Sequence, residues 1–487
     1  MKKAIWALLT ACTLLATPLA VSADSNYKEY IYDTSGESVP APASYQPQQV
    51  LYGNEETAQP FSAPKDMACD GEGRLYVLDT GNDRIVVLDR SLHLVRELRP
   101  PVIDGQPTSF QGAAGLFIRE DRLYVTDKQN GVIYLLGTDG SGVKTIGFKP
   151  QAVVEDSFVF KPEGITVDNA GIIQVQAEGC YSGLITLDSD GNMIGYFSAN
   201  TVQASLSVIA AQFWRKVFSE EQQDSIKQII PVEYSGITMD SEGFIYTTTA
   251  KTETSTFEIK KLNPYGVNIL GYNNTFSSVK TANGDYGDLR TLYTAGQYLD
   301  TSFGDIYVDE EGFIFAMDTS RGRIFCYDQN SHLICVFGGM GDQAGTFALP
   351  TAVTGYGGVI YVLDETKGSV TAFRRSAYVE NIRQALLLDE ACDYAGAEPY
   401  WQQVYQENGN YALALSGLGK AAYQRGETQQ AMAYFKRAND RSNYDTAFAT
   451  YRTAYIREHF VYFGVAVTAL VAATLVYRVV RRKKGKA

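Results

Sequence analysis

One pattern returns six times along the middle of the chain, and no other feature restricts the fold so tightly. The first copy reads Pro64-Lys65-Asp66-Met67-Ala68-Cys69-Asp70, then Gly73-Arg74-Leu75-Tyr76-Val77-Leu78-Asp79, then Asn82-Asp83-Arg84-Ile85-Val86-Val87-Leu88-Asp89. Apolar, β-branched and aromatic runs between turn formers predict three short strands. The pattern returns at Arg122–Asp127 with Asn130, at Pro162–Asp168, and at Ser235–Asp240 with Phe244-Ile245-Tyr246. It returns again at Gly304–Asp309 with Phe313-Ile314-Phe315 and Asp318, and at Pro350 with Val359–Asp364.

Aligned on the second run, the copies stand at Tyr76, Tyr124, Gln174, Tyr246, Phe315 and Tyr361. Three intervals are 46 to 50 residues, and the other two are 72 and 69. A period in the forties with about four strands per unit predicts a mainly β fold, a six-bladed β-propeller whose blades stack around an axis. The longer intervals imply insertions of about 20 residues after the third and fourth copies. The sixth copy gives way to helix soon after Phe373, so it lacks an outer strand. Gln48–Gly53 supplies one from the N-terminal side, pairing the two ends of the ring and removing an exposed edge.

These motifs resemble NHL repeats, with a Pro-initiated inner strand, an Asp-x-x-Gly turn, a Tyr-Val-x-Asp strand and an Asn-x-Arg-Ile strand. The first copy matches closely, and the third and fourth lose the Asn-x-Arg element. The resemblance covers roughly residues 48–375.

The two ends set an expected compartment. Met1-Lys2-Lys3, an apolar run to Val21, and small residues up to Ala23 read as a secretory signal peptide, residues 1–23, followed by an extension, 24–47. Leu9-Thr10-Ala11-Cys12 also fits a lipoprotein box, but the apolar stretch before Cys12 is short. Phe460 to Tyr477, extended by Val479 and Val480, is long enough to cross a bilayer. Arg478, Arg481, Arg482, Lys483, Lys484 and Lys486 follow, and the positive-inside rule puts that tail in the cytoplasm. The expectation is a single-pass membrane protein, spanning at 460–480 with tail 481–487, and with its larger part outside.

Net charge is −13. Of the 42 cations, Lys2, Lys3 and the six of the tail lie outside 24–459, which leaves 34 against all 55 acids, or about −21. Such an acidic surface excludes nucleic acid as the main partner. Three histidines are few for His-based catalysis or zinc. His93 and His332 sit at equivalent hairpin turns, which marks them as structural. Cys69, Cys180, Cys326, Cys335 and Cys392 form no disulfide framework. Cys326 and Cys335 flank a predicted turn, where two buried small apolar side chains or a cross-strand disulfide would fit.

The first insertion, 200–230, reads as helix, with Leu206, Ile209, Phe213, Trp214 and Val217 at helical spacing. Phe213 and Trp214 pack on the propeller or bind a partner. The second insertion, 273–300, is Tyr-, Asn- and Gly-rich and reads as a loop. From Ala377 the period turns helical. Leu418, Gly419, Gly426, Ala431, Phe435 and Ala438 resemble a tetratricopeptide repeat, in which small residues let paired helices approach and Phe435 fills the gap. The expectation is a stalk of three to five helices over 376–457. In the anchor, Gly464, Thr468 and Ala472 form a small-residue stripe fit to pack on another transmembrane helix.

Aligning the copies puts Lys65, Ala113, Glu163, Ser235, Gly304 and Thr351 in one ring at the channel mouth. Asp66, Ala114, Gly164, Gly236, Asp305 and Ala352 form the next. Lys65, Asp66, Glu163 and Asp305 are therefore the candidate ligand-binding residues. Three convergent carboxylates suit Ca²⁺. Six-bladed lactonases and arylesterases, which the architecture resembles, hold a metal there with Glu, Asn and Asp. Here the Asn residues are replaced by Ala, Gly and Ser, so the expectation is no cofactor and no catalytic residue. The leading reading is an exported, membrane-anchored binding or scaffold protein with a protein, small-molecule or sugar partner. Similar exported NHL proteins with one C-terminal span resemble accessory proteins of ABC-type transporters. The competing reading is a lactonase, esterase or lyase enzyme with Ca²⁺ at the mouth.

Overall fold

Four of the turns between first and second repeat strands are built the same way. Asp70, Asp168, Asp240 and Asp309 each accept the N–H groups two and four residues on, at 2.8–3.1 Å. Gly73, Gly171, Gly243 and Gly312 then turn the chain at φ 77° to 89°, a region closed to most side chains. The Asp-x-x-Gly motif is thus a self-bonded turn.

The computed structural model describes residues 27–151, 154, 158–198, 232–250, 258–270, 286–289, 292–294 and 297–484. It is a six-bladed β-propeller followed by a small helical region. Blade 1 comprises Asp66–Cys69, Leu75–Asp79, Arg84–Leu88 and Leu94–Leu98. Blade 2 runs from Ala113–Arg119 through Arg122–Asp127 and Val132–Gly137 to Gly142–Gly147. Blade 3 comprises Pro162–Val167, Ile173–Ala177, Leu184–Leu187 and Met193–Phe197. Blade 4 shows Gly236–Met239, Ile245–Thr248 and Ile259–Leu262 among the described residues. Blade 5 comprises Phe303–Val308, Ile314–Asp318, Arg323–Tyr327 and Leu333–Gly338. All six aligned aromatic or Gln positions, from Tyr76 to Tyr361, fall in second strands.

Blade 6 is built from both ends of the propeller. Pro350–Tyr356, Val359–Asp364 and Ser369–Arg375 are joined by Tyr45–Leu51, which pairs antiparallel with the last of them. The closing strand starts three residues before the expected Gln48. Tyr45 anchors it, fully buried, with its ring stacked on Phe337 at 4.6 Å. Pro47 is tolerated because this is an outer strand. The inner strands of neighbouring blades touch all the way round, blade 6 meeting blade 1.

The Asp ending the Tyr-Val-x-Asp strand explains why that motif recurs. Asp79, Asp127, Asp318 and Asp364 are each 0% exposed. Asp79 accepts from Ser62 N, Asn82 Nδ2 and Arg84 Nε, at 2.7, 2.8 and 2.6 Å. Asp364 accepts from Ala348 N and Lys367 N. Asp127 accepts from Asn130 and Tyr134. These carboxylates tie the second strand to neighbouring loops by charge-assisted bonds.

Within the second insertion, read as loop, the described residues include a short hairpin, Leu292–Thr294 with Gln297–Leu299. The 200–230 insertion, with Phe213 and Trp214, and the signal segment lie outside the described residues. An N-terminal hairpin, Tyr30–Tyr32 with Ser38–Pro40, packs on the outer strand of blade 5.

Five helices follow the last strand: α1 (Ala377–Glu390), α2 (Tyr394–Glu407), α3 (Ala412–Gln424), α4 (Thr428–Ala438) and α5 (Arg441–Glu458). Ser376 caps α1, its hydroxyl accepting from Val379 N. Two glycines of α3 let its neighbours close in. A Cβ on Gly417 would stand 2.1 Å from Trp401 Nε1 in α2, and one on Gly419 2.5 Å from Phe435 in α4. A single core runs from blades 5 and 6 into α1, α2 and α3. The last helix, α6 (Phe460–Lys484), holds the one candidate span among the described residues. Phe460–Arg478 is 19 residues with mean hydropathy 2.1 and no burial.

Candidate functional site

The start of each inner strand faces the propeller axis. There the inner strands wall a cavity of about 660 Å³. Of the two aligned rings, Lys65, Glu163, Ser235, Gly304 and Thr351 line it, as do Asp66, Ala114, Gly164, Gly236 and Asp305. Ala113 instead borders the outer mouth, and Ala352 is fully buried. Ala352 packs instead in the core between blades 6 and 1. The small residues have a packing reason. A Cβ on Gly115 would meet Glu163 O at 2.0 Å, and one on Gly164 would meet Ile237 at 2.6 Å.

The two aspartates act as clips between blades. Asp66 Oδ2 accepts from Leu116 N of blade 2 at 2.6 Å, and its Oδ1 from Met67 N at 2.7 Å. Asp305 Oδ2 accepts from Val353 N of blade 6 at 2.8 Å. Both residues line the channel and are half-buried, yet protein surrounds their carboxyls. Desolvation raises Asp66 from 3.8 to about 7, against the pull of its two N–H donors. Asp305 is also held well above its ordinary value, by desolvation first and the Asp66 charge second.

Glu163 is engaged differently. It accepts from Lys128 Nζ at 2.5 Å and Gln176 Nε2 at 2.8 Å. Lys128 also reaches Glu178, which Lys161 pairs at 2.7 Å. These two lysines hold the exposed Glu178 carboxyl down to about 2. Desolvation opposes the charge on Lys128, but the two glutamates outweigh it and raise its pKa. Lys65 pairs with Glu365 at 2.6 Å, across the seam between blades 1 and 6.

These mouth partners were not picked out from the sequence, although a register signal marks them. The residue directly after each second strand is Thr80, Lys128, Glu178, Thr249, Thr319 or Glu365. Three of the six are charged, and two of these, Lys128 and Glu365, neutralise ring residues. Arg119 was also missed. It ends the long inner strand of blade 2 and donates to Val167 O at 2.5 Å near the opposite end of the channel.

The residues do not fit a metal of the kind the lactonase resemblance implies. Asp66, Glu163 and Asp305 share a cavity wall, but their oxygens already bond backbone N–H groups or Lys128. Among the described residues, no three carboxylate, His or Cys groups stand together to hold one ion.

A second cavity, about 320 Å³, lies between blade 5 and the helices, walled by Asp328, His332, Asp389, Trp401, Lys420 and Asp440 among others. His93 and His332 share the expected turn role: each donates its N–H to the Asp four residues before it. Their rings differ. His93 is 68% exposed, whereas His332 is 13% exposed and its Nδ1 lies 2.7 Å from Asp328 Oδ2.

On α6, the hydroxyl of Thr468 turns back to Gly464 O at 2.7 Å. Gly464, Thr468 and Ala472 are exposed.

No protein-family model matches the chain, and no curated protein matches it. Solved structures do. A streptogramin B lyase is 15% identical, covering 68% of this chain and 98% of that one with TM-score 0.41. A virginiamycin B lyase from Staphylococcus aureus is 10% identical over 68% and 99%, TM-score 0.40. A gluconolactonase from Xanthomonas campestris is 10% identical over 70% and 98%, TM-score 0.37. These likenesses concern architecture and carry no statement about activity here.

Proposed function

We infer that the chain is a membrane-anchored binding or scaffold protein, displayed outside the membrane, whose propeller channel takes a small polar or sugar ligand or a protein partner. One observation carries this reading: the channel's acidic groups are spent on structure. Asp66 and Asp305 clip neighbouring blades, and Glu163 is neutralised by Lys128. What remains is a wall of small residues and backbone around a preformed polar cavity. In this reading the apolar α6 is the anchor, and the positive-inside rule applied to its trailing cations supports a cytoplasmic position for that end. The stalk, resembling tetratricopeptide repeats, and the Gly464, Thr468, Ala472 stripe offer surfaces for membrane partners, ABC-type transporter subunits among them.

An affinity pull-down of the full-length protein from its own membranes tests this. Recovery of transporter subunits in stable ratio supports an accessory role. Recovery of the bait alone counts against a scaffold.

One observation favours an enzyme instead. Asp66 and Asp305 sense each other across the channel, and burial holds both toward the neutral acid. Paired carboxyls both raised above their ordinary range are a resource for acid–base chemistry. Full-length protein assayed on lactones and esters, with and without Ca²⁺, separates the readings. Turnover lost in Asp66→Asn or Asp305→Asn establishes the enzyme. No turnover leaves the binding reading in place.

A further inference from the structure

We propose that Cys326 and Cys335 form an intrachain disulfide in the mature protein, joining the third and outermost strands of blade 5. The two residues are direct partners in the antiparallel ladder. Directly opposed residues stand about 4.5–5.5 Å apart at Cα, inside the roughly 4.4–6.8 Å range of disulfides. Opposed side chains share one face of the sheet. Both are free thiols in this structure, and Cys335 is close enough to add to burial in pushing the Cys326 thiol up. The other cysteines are placed elsewhere: Cys69 in blade 1, Cys180 just after a strand of blade 3, and Cys392 after α1.

The reaction is thiol–disulfide exchange with an oxidised disulfide donor, the class of oxidant that serves exported chains. One cysteine, as thiolate, attacks the donor and forms a mixed disulfide. The second displaces the donor's sulfur. Two S–H bonds break and one protein S–S bond forms. The donor takes the two electrons and, with two protons, leaves as a dithiol.

Timing follows from burial. Cys326 and Cys335 are 0% and 1% exposed, beneath Tyr45 and Phe337 in the core shared with the helices. Desolvation pushes the Cys326 thiol well up, so the folded blade disfavours the attacking thiolate. Exchange therefore precedes closure of blade 5, and the finished bond is shielded from reductants. It staples the blade on which both the N-terminal hairpin and α1 rest.

Oxidation in the cell rests on the placement outside the membrane inferred above, so the experiment has two arms. Full-length protein is extracted from its membranes into acid, denatured with iodoacetamide, digested and weighed. Label on Cys69, Cys180 and Cys392, with the 326–335 pair unlabelled and two hydrogens lighter until reduced, supports the proposal. Direct label on both Cys326 and Cys335 overturns it for the mature protein. In the second arm, reduced full-length chain is refolded in detergent with glutathione disulfide. A bond formed there, in protein whose membrane-extracted form is labelled, faults the placement and not the pairing. Free thiols in both arms overturn the pairing itself.

Discussion

Arg383 of α1 reaches Asp309 of blade 5 at 2.6 Å, and the two side chains are 2% and 9% exposed. The guanidinium also contacts Glu311 and lies 3.8 Å over the Phe313 ring. One buried cation thus fixes the helical region to the propeller. Truncating a partner in a buried pair leaves the other charge stranded. Arg383→Ala should cost about 3–5 kcal/mol of unfolding free energy. Arg383→Met should cost less, because it keeps apolar contact with Phe313. Denaturant titration of the full chain measures both, and equal losses would assign the whole effect to the lost charge and none to packing on Phe313.

Asp66 sets an expected pH dependence. Its folded pKa, about 7, lies above the ordinary 3.8, so between those values the folded chain binds more protons than the unfolded chain. Stability must then fall as pH rises through that window. Asp305 acts in the same direction, and so does the buried Glu29, raised to about 7 by desolvation. Between pH 5 and 7.5 Asp66 should contribute on the order of 3 kcal/mol. Melting temperatures of wild type and Asp66→Asn at pH 5 and 7.5 check it. An unchanged slope in the variant would remove Asp66 as the cause.

Gly417 should not tolerate a methyl group. Its Cβ would overlap the Trp401 indole, which is 1% exposed and has no room to retreat. Overpacking of this kind costs roughly 1–3 kcal/mol. Gly417→Ala should lower stability by that amount, and Trp401→Phe in the same chain should recover part of it. Additive losses would mean that the two helices do not meet there.

Lys128 holds two glutamates at the mouth, Glu163 and Glu178. Lys128→Met should return the Glu178 carboxyl toward ordinary values, because one of its two lysine partners is gone. Carboxyl chemical shifts in a pH titration report this directly. Since these side chains are 34–40% exposed and screened by solvent, stability should change by less than about 1 kcal/mol.

The blades were legible because a repeat cannot hide its period. The Asp of Tyr-Val-x-Asp and the Gly of Asp-x-x-Gly recur where a staple and a left-handed turn recur. The ring alignment found the cavity wall but not its chemistry. Lys65 and Glu365 meet only because the ring closes, and no local pattern shows that. Ala352 turned into the core between blades 6 and 1, which the alignment alone does not show. His332 kept its repeat role in the backbone, while α1 and α3 gave its ring surroundings that His93 does not have.

The pairing of Leu51 with Val370 also dictates an order of events. The closing strand leaves the ribosome before any blade, yet its partner is among the last propeller residues made. Contacts so distant in sequence form slowly. Tyr45–Leu51 must therefore stay available, unpaired, while the whole propeller emerges, and the ring becomes a single cooperative body only at the end. A chain stalled or cleaved before residue 369 would hold up to five blades and an unsealed gap, a natural checkpoint for quality-control proteases.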